Sequence, residues 1–114
     1  MAELPDRRDL ARQQCQPQGK DGGLDAQKAA NLLNDLPGWS LEGDAITKTY
    51  QFDNYHQAVA FVNATAWVSH RQDHHPDLEV GYNKVTVRYS THSVGGVSIN
   101  DFICAAKLES LMEL

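Results

Sequence analysis

The stretch DLEVGYNKVTVRY, residues 77 to 89, constrains this chain more than any other. Leu78, Val80 and Tyr82 alternate with polar residues, and after Asn83 so do Val85, Val87 and Tyr89. Successive side chains of a strand point to opposite faces, so the pattern describes two strands that each bury one face. Gly81 and Asn83 supply the tight turn between them. A lone hairpin is marginally stable in water and needs further strands or a helix against it. A second hairpin lies upstream. There Trp39 and Leu41 alternate with polar residues, and Glu42-Gly43-Asp44 is turn chemistry. AITKTYQF (45–52) then sets Ile46, Tyr50 and Phe52 on one face.

Helical spacing fills the gaps. Asp25 is a fitting N-cap for a helix carrying Leu24, Ala29, Leu32, Leu33 and Leu36, stopped by Pro37-Gly38. Asp53-Asn54 offers a cap for a second helix over roughly 54 to 71. Its expected buried stripe is Tyr55, Ala58, Val59, Val62 and Ala66, with Phe61 and Trp67 off its centre. Ser98 caps a last helix, with Asp101 placed for a capping box and Phe102, Ile103, Ala106, Leu108 and Leu111 on its apolar face. The order is α-β-β-α-β-β-α. The expected class is α+β, a two-layer sandwich with a four-stranded antiparallel sheet covered by helices on one face.

At 114 residues the chain has room for one core. Residues 1 to 23 are polar and hold Pro5, Pro17, Gly19, Gly22 and Gly23, so they read as a flexible N-terminal arm ahead of a domain spanning 24 to 114. The net charge of −5, with no cluster of Lys or Arg, speaks against nucleic acid as the main ligand. No apolar run is long enough to span a membrane, and the N-terminus lacks the apolar core of a secretory signal. Cys15 and Cys104 form no framework and no CxxC pair, so they read as free thiols of a cytoplasmic protein, Cys104 among core residues.

Four of the five histidines fall between positions 70 and 92: His70, His74, His75 and His92. Imidazole titrates near neutrality, so such groups can lend and recover a proton. His74 and His75 leave the end of the second helix and His92 leaves the end of the fourth strand, points that can share one rim of a layered domain. A zinc site is the other reading of His70 and His74, four apart on a helix. Arg71 stands where HExxH needs glutamate, and no cysteine completes a ligand set. His56, early in the amphipathic helix, reads as a surface residue.

The segment HRQDHHPDLEVGYNKVTVRYSTHSVGGVSIND resembles the motif of the pterin-4a-carbinolamine dehydratases. His70 takes the motif's leading position and His74-His75-Pro76 its centre. Tyr82, His92 and Asp101 follow at gaps that fit the family. Leu36-Pro37-Gly38-Trp39 and FVNATAWV also look like family features, and Cys15 with Pro17 is similar to a loose Cys-x-Pro element of bacterial members. The resemblance covers roughly 24 to 112. Two positions depart from it: His70 where glutamate is frequent, and Leu78 where tryptophan is.

The resemblance implies an enzyme that removes water from a 4a-hydroxytetrahydropterin to give quinonoid dihydropterin, in tetrahydropterin recycling for an aromatic amino acid hydroxylase. It implies His74 and His92 as the acid/base pair and His75 as the group that binds and orients the pterin. Ser90 and Thr91 are expected to offer backbone groups to the pterin's amide edge. Asp101 is expected to act behind the site, structurally and by holding His92, with His70 also behind it and Tyr82 as packing. It implies no metal and no organic cofactor, and a homodimer or homotetramer. The fold could instead serve as a binding or adaptor module, because family members in animals also act as dimerisation cofactors.

Overall fold

The computed structural model describes residues 5–113; positions 1 to 4 and 114 lie outside the described residues. The elements are α1 (Arg7–Arg12), α2 (Ala26–Leu33), β1 (Ser40–Glu42), β2 (Ala45–Gln51), α3 (Tyr55–Gln72), β3 (Asp77–Val80), β4 (Lys84–Tyr89) and α4 (Ile99–Met112). From residue 24 onward this is the expected α-β-β-α-β-β-α order. The four strands form one antiparallel sheet in the order β1-β2-β4-β3. Both hairpins form where the alternation places them, and the two long strands β2 and β4 pair at the centre, with Ile46 opposite Tyr89 and Tyr50 opposite Val85.

The alternation sorts the sheet's faces. Ile46, Tyr50, Val85, Val87 and Tyr89 are buried toward the helices together with Phe102, Ile103, Ala106 and Leu108 of α4. Thr49 and Thr86 share a hydroxyl hydrogen bond of 2.8 Å on the other, uncovered face. β3 is an edge strand whose Leu78 packs half-buried against the core. Val80 is largely exposed, and Tyr82, expected as a packing residue, stands out and stacks on Tyr55, at 6.4 Å between ring centres.

The caps fall on the expected residues. Asp25 accepts from the Lys28 N–H, Asn54 from the Gln57 N–H, and Ser98 with Asp101 makes a reciprocal capping box on α4. The α2 helix is shorter than its apolar spacing suggests. It ends at Leu33, and a turn carries the buried Leu36 to Gly38, whose φ of 86° favours glycine.

The buried face of α3 differs from the expected stripe. Ala58, Phe61, Thr65, Val68 and Ser69 face inward, while Tyr55 is exposed and Val59 and Val62 are half-buried. Thr65 and Ser69 tolerate burial because their hydroxyls bond back to carbonyls of their own helix, Val62 and Thr65, each at 2.7 Å.

The stretch set apart as an arm lies along the domain in its described part. Asp6 and Asp9 form a capping box for α1. Leu10 is fully buried against the core, and Lys107 donates to the Ala11 carbonyl at 2.7 Å. Leu10, the one long apolar side chain among its described residues, anchors it, a signal too short for periodicity to register. At the far end of α4, Glu109 sits under β1 and β2 and collects the Trp39 indole at 3.4 Å, the Lys48 ammonium at 2.9 Å and the Tyr50 hydroxyl. Among the described residues no helix is long and apolar enough to cross a membrane.

Candidate active site

The site begins at the end of α3. Asp73 adopts a left-handed conformation, φ 50°, which short polar side chains tolerate. Its N–H returns to the carbonyls of His70 and Ser69, and the His74 N–H follows to Ser69 at 3.2 Å. This corner ends the helix before residue 74. His70 and His74 therefore do not share a helix face. His70 stays exposed on the last turn of α3 and does not reach the cleft.

His74 instead turns in toward the first turn of α4. Its Nε2 lies 2.5 Å from Oδ1 of Asp101, whose side chain is wholly buried. Its ring stacks on Tyr89 at 5.8 Å with 8° between the planes. The second oxygen of Asp101 accepts from the Thr91 hydroxyl at 2.8 Å and from the Ser98 N–H at 2.9 Å. Asp101 thus holds His74, whereas the sequence suggested His92; the corner at Asp73 brings the first of these within reach. Burial pulls the His74 imidazolium down, but the hydrogen bond and charge of Asp101, aided by Cys15 and Asp73, outweigh it and leave the group above its ordinary 6.5.

His75 and His92 are exposed. His92 opens a short 3-10 turn, His92–Val94, closed by Gly95 in a left-handed conformation. Thr91 is buried and works inward. Its hydroxyl serves Asp101, and its N–H is committed to Gly96 at 2.7 Å, which leaves that donor unavailable to a ligand. The half-buried Ser90 makes no side-chain hydrogen bond among the described residues.

His74, His75, Pro76, Ser90, Thr91 and His92 line one cleft of about 580 Å³. That volume is in the range of small-molecule sites, about 300–1,000 Å³. Asn100 and the run Cys15 to Gln18 add a further part of its lining. These latter residues went unread in the sequence as site residues; the one hint was the Cys-x-Pro pattern. The Cys15 sulfur lies 3.6 Å from that of Cys104. The hydrogen bond from Cys104 holds the Cys15 thiol below its ordinary value against the effect of burial, with His74 and Lys107 adding to the pull. The same bond and burial push Cys104 up. Among the described residues no three His, Cys, Asp or Glu side chains converge as a metal-ligand set. A carboxylate-held imidazole thus stands beside two solvent-facing ones, side chains that can take up and release protons.

Comparison with known proteins identifies the family. Residues 22–111 match the family model described as pterin 4 alpha carbinolamine dehydratase. A protein of Dechloromonas aromatica, provisionally named pterin-4-alpha-carbinolamine dehydratase, is 58% identical over 92% of this chain and 95% of its own length. One of Nitrosospira multiformis with the same provisional name is 51% identical over 93% and 95%. Among solved structures, a transcriptional coactivator/pterin dehydratase from Brucella melitensis superposes with a TM-score of 0.74 at 31% identity, over 77% of this chain and 96% of its own. A pterin dehydratase-like protein identified as a RuBisCO assembly factor in the alpha-carboxysome shares the fold, with a TM-score of 0.57 at 23% identity over 65% of this chain and 88% of its own. With a family model spanning most of its length and relatives at this identity, the chain belongs to the pterin 4 alpha carbinolamine dehydratase family.

Proposed function

We propose that this chain removes water from a 4a-hydroxytetrahydropterin to give the quinonoid dihydropterin, with His74 and His92 as the proton-transfer pair and His75 orienting the ring. The observation that carries the reading is the shared cleft of the three histidines, one of them held by a buried carboxylate. Family membership supports the reaction class.

The chemistry needs two proton movements. The C4a–O bond breaks with its electron pair going to oxygen, and the departing hydroxyl must take a proton to leave as water. N5 then gives up its proton, and that electron pair closes the C4a=N5 double bond. His74 is the suited donor. Asp101 engages its Nε2 and favours the imidazolium, leaving Nδ1 as the nitrogen free of hydrogen bonds among the described residues. His92, exposed and without a side-chain hydrogen bond among the described residues, takes the N5 proton. Solvent returns one proton from His92 and supplies one to His74, so the balance is one carbinolamine in and one water plus one quinonoid pterin out. Ser90 offers its free hydroxyl and backbone to the pterin's polar edge, and Thr91 contributes through Asp101.

The reading sets this step in tetrahydropterin recycling beside an aromatic amino acid hydroxylase, in the cytoplasm, in an assembly of two or four copies. Exposed Leu41, Trp67, Val80 and Met112 offer apolar surface for such an assembly. A carbinolamine generated in the cuvette tests the function: the absorbance of the quinonoid product should rise faster with the protein than without it. A rate equal to the unassisted one overturns the proposal.

A further inference from the structure

The family match begins at residue 22, yet one wall of the cleft is made of residues that precede it: Cys15, Gln16, Pro17 and Gln18. Three separate elements hold this wall. Asn100, almost fully buried in the first turn of α4, donates from Nδ2 to the Gln16 carbonyl at 2.7 Å and accepts from the Gln16 N–H at 3.1 Å. The Cys15 N–H donates to Gln72 Oε1 at 2.8 Å, at the end of α3. The Ser93 hydroxyl donates to the Gln18 carbonyl at 2.8 Å. Each tie stands beside a histidine or its holder: Gln72 two residues before His74, Asn100 next to Asp101, and Ser93 next to His92.

A flat bicyclic ligand has two faces and a rim. Histidines alone would leave much of that surface to water, which weakens every polar contact in the site. Small-molecule sites bury most of their ligand and are largely formed beforehand. The wall meets both demands. Pro17 gives it a rigid apolar surface, and the reciprocal Asn100–Gln16 pair fixes its backbone as a sheet ladder would.

We infer that Cys15–Gln18 forms a further face of the pterin site and that Asn100 is the positioning residue that holds it in place. This rests on the pterin reading above and adds to it a binding surface contributed by the segment ahead of the matched domain. Asn100 acts through the wall, so its loss weakens binding first.

Cys15 reports on the wall directly. It lines the cleft, while Cys104 is fully buried. Alkylation of the native protein by iodoacetamide is followed at Cys15 by mass spectrometry, with and without saturating biopterin. Biopterin affinity is measured by fluorescence for the wild-type protein and for Asn100→Ala. Bound biopterin is expected to slow Cys15 alkylation about ten-fold or more. Asn100→Ala is expected to weaken binding about ten-fold, the scale of one or two net hydrogen bonds, and to raise KM more than it lowers kcat. Biopterin that binds without protecting Cys15 overturns this inference alone, whether or not Asn100→Ala folds. Undiminished affinity in a folded Asn100→Ala does the same. A wild-type protein that binds no biopterin removes the pterin reading and this inference with it.

Discussion

Asp101 grips His74 from inside the protein, Oδ1 to Nε2 at 2.5 Å, while its other oxygen caps the helix on which it stands. A single carboxylate therefore couples the start of α4 to the orientation and charge of an imidazole in the cleft.

That coupling has a pH signature. His74 lies above its ordinary 6.5 in the folded protein, so the imidazolium is favoured by folding. The pair's contribution to stability is complete below 6.5 and is lost as pH rises through the raised value. The alkaline limb of kcat/KM should accordingly lie above 6.5. In Asp101→Asn it should move to lower pH, with turnover near neutrality reduced roughly 10-fold or more. A pH–rate profile together with an NMR titration of His74 checks both; an unmoved limb would detach Asp101 from the chemistry.

His74→Ala and His92→Ala should each lower turnover by about 10²- to 10⁴-fold. Their effects on stability should differ. His92 is exposed and its ring makes no hydrogen bond among the described residues, so its loss should stay within about 0.5 kcal/mol. Removing His74 leaves a buried carboxylate oxygen unmatched, at about 1–3 kcal/mol. Urea denaturation of the two variants separates these cases.

Glu109 should be a strong determinant of stability. Glu109→Ala strips the acceptor from Lys48, Tyr50 and Trp39 together, and about 2–4 kcal/mol should be lost. Burial raises the Glu109 carboxyl, but the Lys48 and Tyr50 hydrogen bonds prevail and hold it below its ordinary 4.5. Its contribution is thus present above 4.5 and fades as pH falls through the lower folded value. Denaturation curves of Glu109→Gln should show a shallower acid slope than the wild type.

Leu10→Ala should cost about 2–4 kcal/mol, as for other buried leucines, because Leu10 is wholly enclosed. A change below 0.5 kcal/mol in thermal or chemical unfolding would mean that α1 rests on the domain without supporting it.

The strands and caps were legible in the sequence because each is written locally: alternation for β2, β3 and β4, and side chains that bond within three residues for Asp25, Asn54 and Ser98. The inward face of α3 was not. Hydrophobicity pointed to Val59 and Val62, whereas the helix buries Thr65 and Ser69, whose hydroxyls are satisfied by its own backbone. The histidines could be picked out by type and by family motif, but their partners could not. Whether Asp101 meets His74 or His92 depends on one backbone corner at Asp73, and no spacing rule reports a left-handed aspartate. The wall at Cys15–Gln18 stayed hidden for a similar reason. Its ties run to Gln72, Ser93 and Asn100, far along the chain, and polar residues in an apparent arm carry no periodicity.

Arg7 in α1 pairs with Glu113 just past the end of α4, so the described chain finishes beside where it starts. Residues 7 to 113 thus run nearly as a closed loop, and their order along the chain is only one way of cutting that loop. A circular permutant, sutured by a short glycine-rich linker across this junction and opened at the exposed Glu42–Asp44 turn, should retain the native circular dichroism spectrum and unfold cooperatively.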